Sequence, residues 1–100
     1  MIRHVVMWRL KGDTADERHL AGLRVKVAFE GLYGLIPGMS HIEVGQGFGV
    51  QGEACDVVLI AQFDNDAALA AYATHPEHLR VRDELAGLRI TRHCSDYRLE

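Results

Sequence analysis

The chain holds few cysteines, few prolines and few basic residues, and each shortage removes a class of protein. Only two cysteines occur in 100 residues, Cys55 and Cys94, with no Cys-x-x-Cys spacing. A disulfide framework and a thiolate zinc site are therefore not expected. Eleven Lys and Arg against fourteen Asp and Glu leave a net charge of -3, and no basic cluster stands out, which argues against a nucleic-acid partner. No apolar run is long enough to cross a bilayer. The start, Met1-Ile2-Arg3-His4, lacks the charged region, apolar stretch and small-residue cleavage site of a signal peptide, so a soluble, cytoplasmic protein without a membrane partner is expected. What remains is ordinary for a globular chain: 48% hydrophobic and 25% charged, enough for one domain over residues 1–100.

Two prolines punctuate the chain. Pro37-Gly38 ends a helical stretch, and Pro76 lies inside Tyr72-Ala73-Thr74-His75-Pro76-Glu77-His78, the segment richest in chemistry. Proline suits the first turn of a helix, where its missing N–H costs nothing. One short helix is thus expected over Asp64–Ala73 and another from Pro76 to about Gly87. Their corner brings Tyr72 and His78 toward one volume. An imidazole and a phenol so placed suit a general base and an oxyanion donor; alternatively, His75 caps the turn and Tyr72 only packs.

The remaining elements follow from periodicity. Ile2–Leu10 reads as a strand with His4, Val6 and Trp8 on one face and Val5 and Met7 on the other. Thr14-Ala15-Asp16-Glu17 has capping-box spacing, and Leu20, Leu23 and Val27 at helical intervals predict a long helix from Ala15 to Leu35. Met39–Val44 reads as a second strand, with Ser40, Ile42 and Val44 on one face and Met39, His41 and Glu43 on the other. Gly45–Gly52 carries four glycines, but it opens no helix and lacks the Gly-Lys-Ser/Thr ending of a phosphate loop. A flexible loop over a pocket is expected instead. Asp56–Phe63 is a strand apolar on both faces, and Leu88–Arg98 is the last, with Ile90, Arg92, Cys94 and Asp96 sharing a face.

Strand, helix, strand, strand, helices, strand is the α+β, ferredoxin-like βαββαβ order with a four-stranded antiparallel sheet. The two strands apolar on both faces occupy its centre. Helices cover one face only, leaving Val5, Met7, Val58 and Ile60 on the other. An exposed apolar patch of this kind marks an interface, so a homodimer through the helix-free sheet face is expected.

Ile2-Arg3-His4-Val5-Val6-Met7-Trp8, Ile36-Pro37-Gly38-Met39, Glu43-Val44-Gly45, the Tyr72–His78 segment and Asp96-Tyr97 resemble the stress-responsive A/B barrel family over nearly the whole chain. The resemblance implies a dimeric α/β barrel in which two sheets pack together. The family includes plant stress proteins that act through stable assembly and a plant polyketide cyclase. The cyclase's working histidine and tyrosine match His78 and Tyr72, with His4 in the same cavity. Parity adds Val6, Trp8, Leu59, Ala61, Cys94 and Asp96 on the helix-facing side, Asp96 being placed to orient an imidazole. Phe29 and Arg92 complete the candidate ligand-contacting residues. The implied chemistry is proton removal beside a carbonyl by His78, with Tyr72 holding the oxyanion and no cofactor. Ala54-Cys55-Asp56-Val57 departs from the family's Gly-Tyr-x-His. Arg82, Arg89 and Arg92 replace small or apolar residues of the cyclase, which suits an anionic or smaller ligand. His75 and His78 with His4 or Asp96, and also His41 and His93, offer metal-ligand types, but Pro76 sets the pair apart and no metal is expected. Haem-dependent or cofactor-free oxygenases of the wider superfamily are a further alternative, resting on Trp8 and the histidines alone.

Overall fold

A computed structural model describes residues 1–48 and 55–99. The order is β1 (Ile2–Leu10), α1 (Ala15–Glu30), β2 (Met39–Gln46), β3 (Val57–Phe63), α2 (Asp66–Thr74), α3 (Pro76–Glu84) and β4 (Arg89–Arg98). The strands form one antiparallel sheet in the order β2-β3-β1-β4. This is the expected ferredoxin-like arrangement, with the two doubly apolar strands central. Part of the glycine-rich Gly45–Gly52 stretch lies outside the described residues; Gly45 and Gln46 belong to β2.

Local chemistry sets the helix ends. Thr14 accepts a hydrogen bond from the Glu17 amide at 3.1 Å, and the Glu17 carboxylate accepts from the Asp13 amide at 2.7 Å, close to a capping box. Asn65 Oδ1 accepts from the Ala68 amide at 2.9 Å, so α2 starts two residues later than the sequence suggested. His75 Nδ1 accepts from the Glu77 amide at 3.1 Å and caps α3, with Pro76 in its first turn. The capping role read for His75 is the one it takes.

Three expectations are corrected. First, α1 ends at Glu30, not Leu35: Gly31 caps it and 31–37 form turns. Second, its inward face is Ala21, Val25 and Phe29, whereas Leu20, Leu23 and Val27 are 61%, 41% and 74% exposed. Both stripes repeat at helical spacing, and the helix lies close on the sheet at Gly22, where a Cβ would meet Gln46 and Val57. Third, Met39 is buried with Ile42 and Val44, because the β2–β3 register shifts between Met39 and His41; a bulge there inverts the alternation. The other end of β2 is fastened to α1. Glu30 Oε2 accepts from the Val44 amide at 2.9 Å and from Lys26 Nζ at 2.7 Å, and Lys26 also donates to the Val44 carbonyl at 2.7 Å. The Lys26 bond, then the amide, hold the Glu30 carboxyl below its usual range. This clamp satisfies an edge-strand amide and anchors the helix turn that carries Phe29.

The core lies between the helices and one sheet face: Val6, Leu59, Ala61, Phe63, Val25, Phe29, Leu32, Val81 and Leu85 are essentially buried. On the opposite face Val5, Val58 and Ile60 are half-exposed and Met7 is exposed. Among the described residues no helix is long and apolar enough to cross a membrane.

Candidate active site

The α2–α3 corner packs over β1 and β3, where Tyr72 meets His4 and Phe63. The His75 cap ends one helix and starts the next, and this reversal packs the Tyr72 ring against the His78 ring, centroids 4.3 Å apart. Tyr72 also packs on Phe63 at 5.0 Å and on His4 at 6.1 Å. These rings border a cavity of about 450 Å³ whose lining includes His4, Val6, Trp8, Phe29, Leu59, Tyr72, His78 and Arg92. Eight of the ten residues singled out from the sequence are thus brought together. Ala61 is fully buried beside His4 in the β-register, outside the lining, and Asp96 stands behind His4 on β4.

His78 is half-buried. Its Nδ1 lies 3.2 Å from the Ala73 carbonyl, a partner that only accepts, so Nδ1 carries the proton and Nε2 is the basic nitrogen of the neutral ring. Burial pushes the His78 pKa below its ordinary value against the opposing Ala73 hydrogen bond, and the nearby Arg82 and Arg89 cations act in the same direction as burial. Burial likewise drives the Tyr72 phenol well above its ordinary value, against the opposing pull of Arg89 and Arg92. Tyr72 therefore remains a protonated donor, and no group among the described residues hydrogen-bonds its hydroxyl.

Asp96 orients a different imidazole from the one that would serve as base. Its Oδ1 lies 2.5 Å from His4 Nδ1, because β1 and β4 pair His4 directly with Asp96. The outer nitrogen of His4 is thereby fixed as its second functional atom. Cys94 Sγ is 3.7 Å from the same Nδ1, and His4, Cys94 and Asp96 offer ligand atoms within 4.8 Å of one another. This differs from the His75–His78 set considered from the sequence. A cation there would compete with Asp96 for Nδ1 and need a thiolate, whereas burial, then Asp96, raises the Cys94 pKa. The trio fits an oriented histidine better than a metal centre.

The remaining wall was less visible in the sequence. Trp8 stacks on Phe29 at 5.3 Å and 19°, and the Arg89 guanidinium lies over the Trp8 ring, 5.3 Å from its centroid. Gly87, Ile90 and Thr91 join the lining. They reach it because Gly87 turns the chain at φ +87, a conformation suited to glycine, and because the β1–β4 register shifts between Arg9 and Leu10. Neither signal stands out from a single sequence.

The sequence model of the Stress responsive A/B Barrel Domain family matches residues 2–99. A dimeric protein of unknown function with a ferredoxin-like fold from Bacteroides fragilis NCTC 9343 is 33% identical over 98% of this chain and 95% of its own, with a TM-score of 0.84. A Dabb family protein with the same fold from Mesorhizobium loti MAFF303099 is 25% identical over 99% and 96% of the two chains, TM-score 0.78. The hydroxynitrile lyase of Passiflora edulis shares the fold, at 16% identity over 99% and 93% and a TM-score of 0.79. Comparison with curated proteins gives no match.

Proposed function

The chain belongs to the stress-responsive A/B barrel domain family, and from that premise we propose that it binds a small carbonyl compound in the helix-side cavity and moves a proton there without a cofactor. One observation carries this reading: a half-buried imidazole, its Nδ1 tied to the Ala73 carbonyl, packed against a buried phenol in a cavity large enough for a ligand. His78 Nε2 takes the proton from the carbon beside the carbonyl. The electron pair moves onto the carbonyl oxygen, which accepts a hydrogen bond from the Tyr72 hydroxyl. Proton return from His78, or from His4 held by Asp96, completes an isomerisation or a ring closure. Desolvation serves the step twice, by keeping His78 unprotonated and by keeping Tyr72 a donor. The fold alone does not assign this activity; the paired side chains are what supports the reading.

The test is deuterium exchange at the α-carbon of 2-tetralone, a neutral enolisable ketone, followed by NMR. Wild type is expected to accelerate exchange, and His78→Ala to reduce the acceleration by about 10²–10⁴-fold, the usual contribution of a general base, with the melting temperature nearly unchanged. Equal exchange by wild type and His78→Ala would leave the second family role, assembly without catalysis, as the better account.

The same family premise supports a homodimer built on the bare sheet face, as relatives are described as dimeric. Val5, Met7, Val58 and Ile60 supply an apolar centre there. Beside them Arg3 Nε is buried without a partner among the described residues, although its terminal nitrogens donate to Gln62 at 3.1 Å and Tyr97 at 3.3 Å. Ile60→Asp is expected to give monomers in sedimentation, since an unpaired charge at an apolar interface centre is costly.

A further inference from the structure

Positive charge gathers along the cavity lining, and among the described residues two of its three cations have no carboxylate partner. Arg82, Arg89 and Arg92 all border the lining in a chain of net charge -3. Among the described residues no carboxylate pairs with Arg89 or Arg92. Arg82 Nε lies 3.9 Å from Asp83 at the exposed surface, and Arg89 donates to the Arg82 backbone carbonyl, at 3.3 Å. Asp96, on the same strand as Arg89 and Arg92, is engaged by His4. Burial, then Arg92 and Arg82, lower the Arg89 pKa, the mark of cations crowding one another in a partly dry place. The Arg89 guanidinium carbon moreover lies over the Trp8 ring, 5.3 Å from its centroid, and a guanidinium has donors to spare for a further partner.

We infer that the cavity takes a carboxylate-bearing carbonyl compound, its carboxylate on Arg89 and Arg92 and its flat body along Trp8 and Tyr72. This rests on reading the cavity as the ligand site. A guanidinium fork matches a planar carboxylate through two parallel hydrogen bonds, and the anion relieves the repulsion among the arginines. A single charge suffices, because Arg82 is already partly offset by Asp83. Bound so, the ligand directs its unsaturated portion toward the Tyr72–His78 pair, since the arginines and that pair border one cavity.

Calorimetric titration with phenylpyruvate, its methyl ester and phenyl phosphate tests this. The acid is expected to bind at least tenfold tighter than the ester. Arg92→Gln, a change at an exposed position, and Arg89→Gln should each cut acid affinity about tenfold and leave ester affinity nearly alone, with folding checked by thermal melts. An ester that binds as well as the acid, an Arg92→Gln variant with the full acid preference, tighter binding of phenyl phosphate, or no binding by any of the three would overturn the assignment. Deuterium exchange at the benzylic carbon separates this inference from the acid–base reading. Acid-selective binding without exchange rejects the proton-transfer reading and keeps the carboxylate site; exchange of the ester as fast as the acid does the reverse.

Discussion

On the helix-facing side of one sheet, β3 and β4 meet opposite surroundings. Along β3, Val57, Leu59, Ala61 and Phe63 are at most 1% exposed. Along β4, the residues of the same face, Arg92, Cys94 and Asp96, are exposed. The helices roof the sheet over β3 and β1 and stop short of β4, so the boundary falls on His4, Val6 and Trp8 of the strand between. A closed core on one flank packs the rings, and an open flank leaves room for a ligand and tolerates charge. The candidate site lies on that boundary, as buried walls with a few placed polar groups favour.

The contrast is sharpest in stability. Phe63→Ala removes a fully buried ring that touches both His4 and Tyr72 and is expected to cost about 3–5 kcal/mol in urea denaturation. Cys94→Ala on β4 should stay within about 0.5 kcal/mol, as exposed positions usually do. A Cys94→Ala loss comparable to that of Phe63→Ala would show β4 to be part of the sealed core.

A smaller effect should appear in pH. His78 is depressed chiefly by burial, so the exchange rate should hold through neutral pH and fall on the acid side, with an inflection below the ordinary imidazole value. The sign is the same for stability. The unfolded chain takes up the His78 proton first as pH falls, so stability declines from the unfolded pKa downward, a trend that His78→Ala should weaken. An inflection above the ordinary value would mean that a different group carries the rate.

The smallest effect belongs on the exposed rim. Arg98 grips Asp66 through two hydrogen bonds of 2.9 Å, tying β4 to α2. Both side chains are more than two-thirds exposed, and Asp66→Asn should cost no more than about 1 kcal/mol and less in high salt. A larger loss would make this pair, and not the core, the fastening of the open flank.

The strand order was legible in the sequence because β1 and β3 are apolar on both faces, which only central strands require. The Tyr72–His78 corner was legible because proline restarts a helix in few ways. The buried face of α1 was not, since Leu20, Leu23 and Val27 are as oily as Val25 and Phe29 and repeat at the same spacing. Met39 was misplaced because alternation cannot reveal a bulge. Parity placed His4 and Asp96 on one face, but only strand register shows that Asp96 meets His4 and not His78. The arginines were visible as departures from a relative's pattern, and their crowding along the cavity lining emerges only when α3, the Gly87 turn and β4 are folded together.

Trp8 is the one tryptophan in the chain, almost wholly shielded and in contact with the Phe29 ring and the Arg89 cation at the cavity wall. The molecule therefore carries its own optical gauge. Light absorbed by this indole is emitted from a single, known place, so any guest that enters beside it, or any loosening of the ring stack, changes one signal that needs no label to be read.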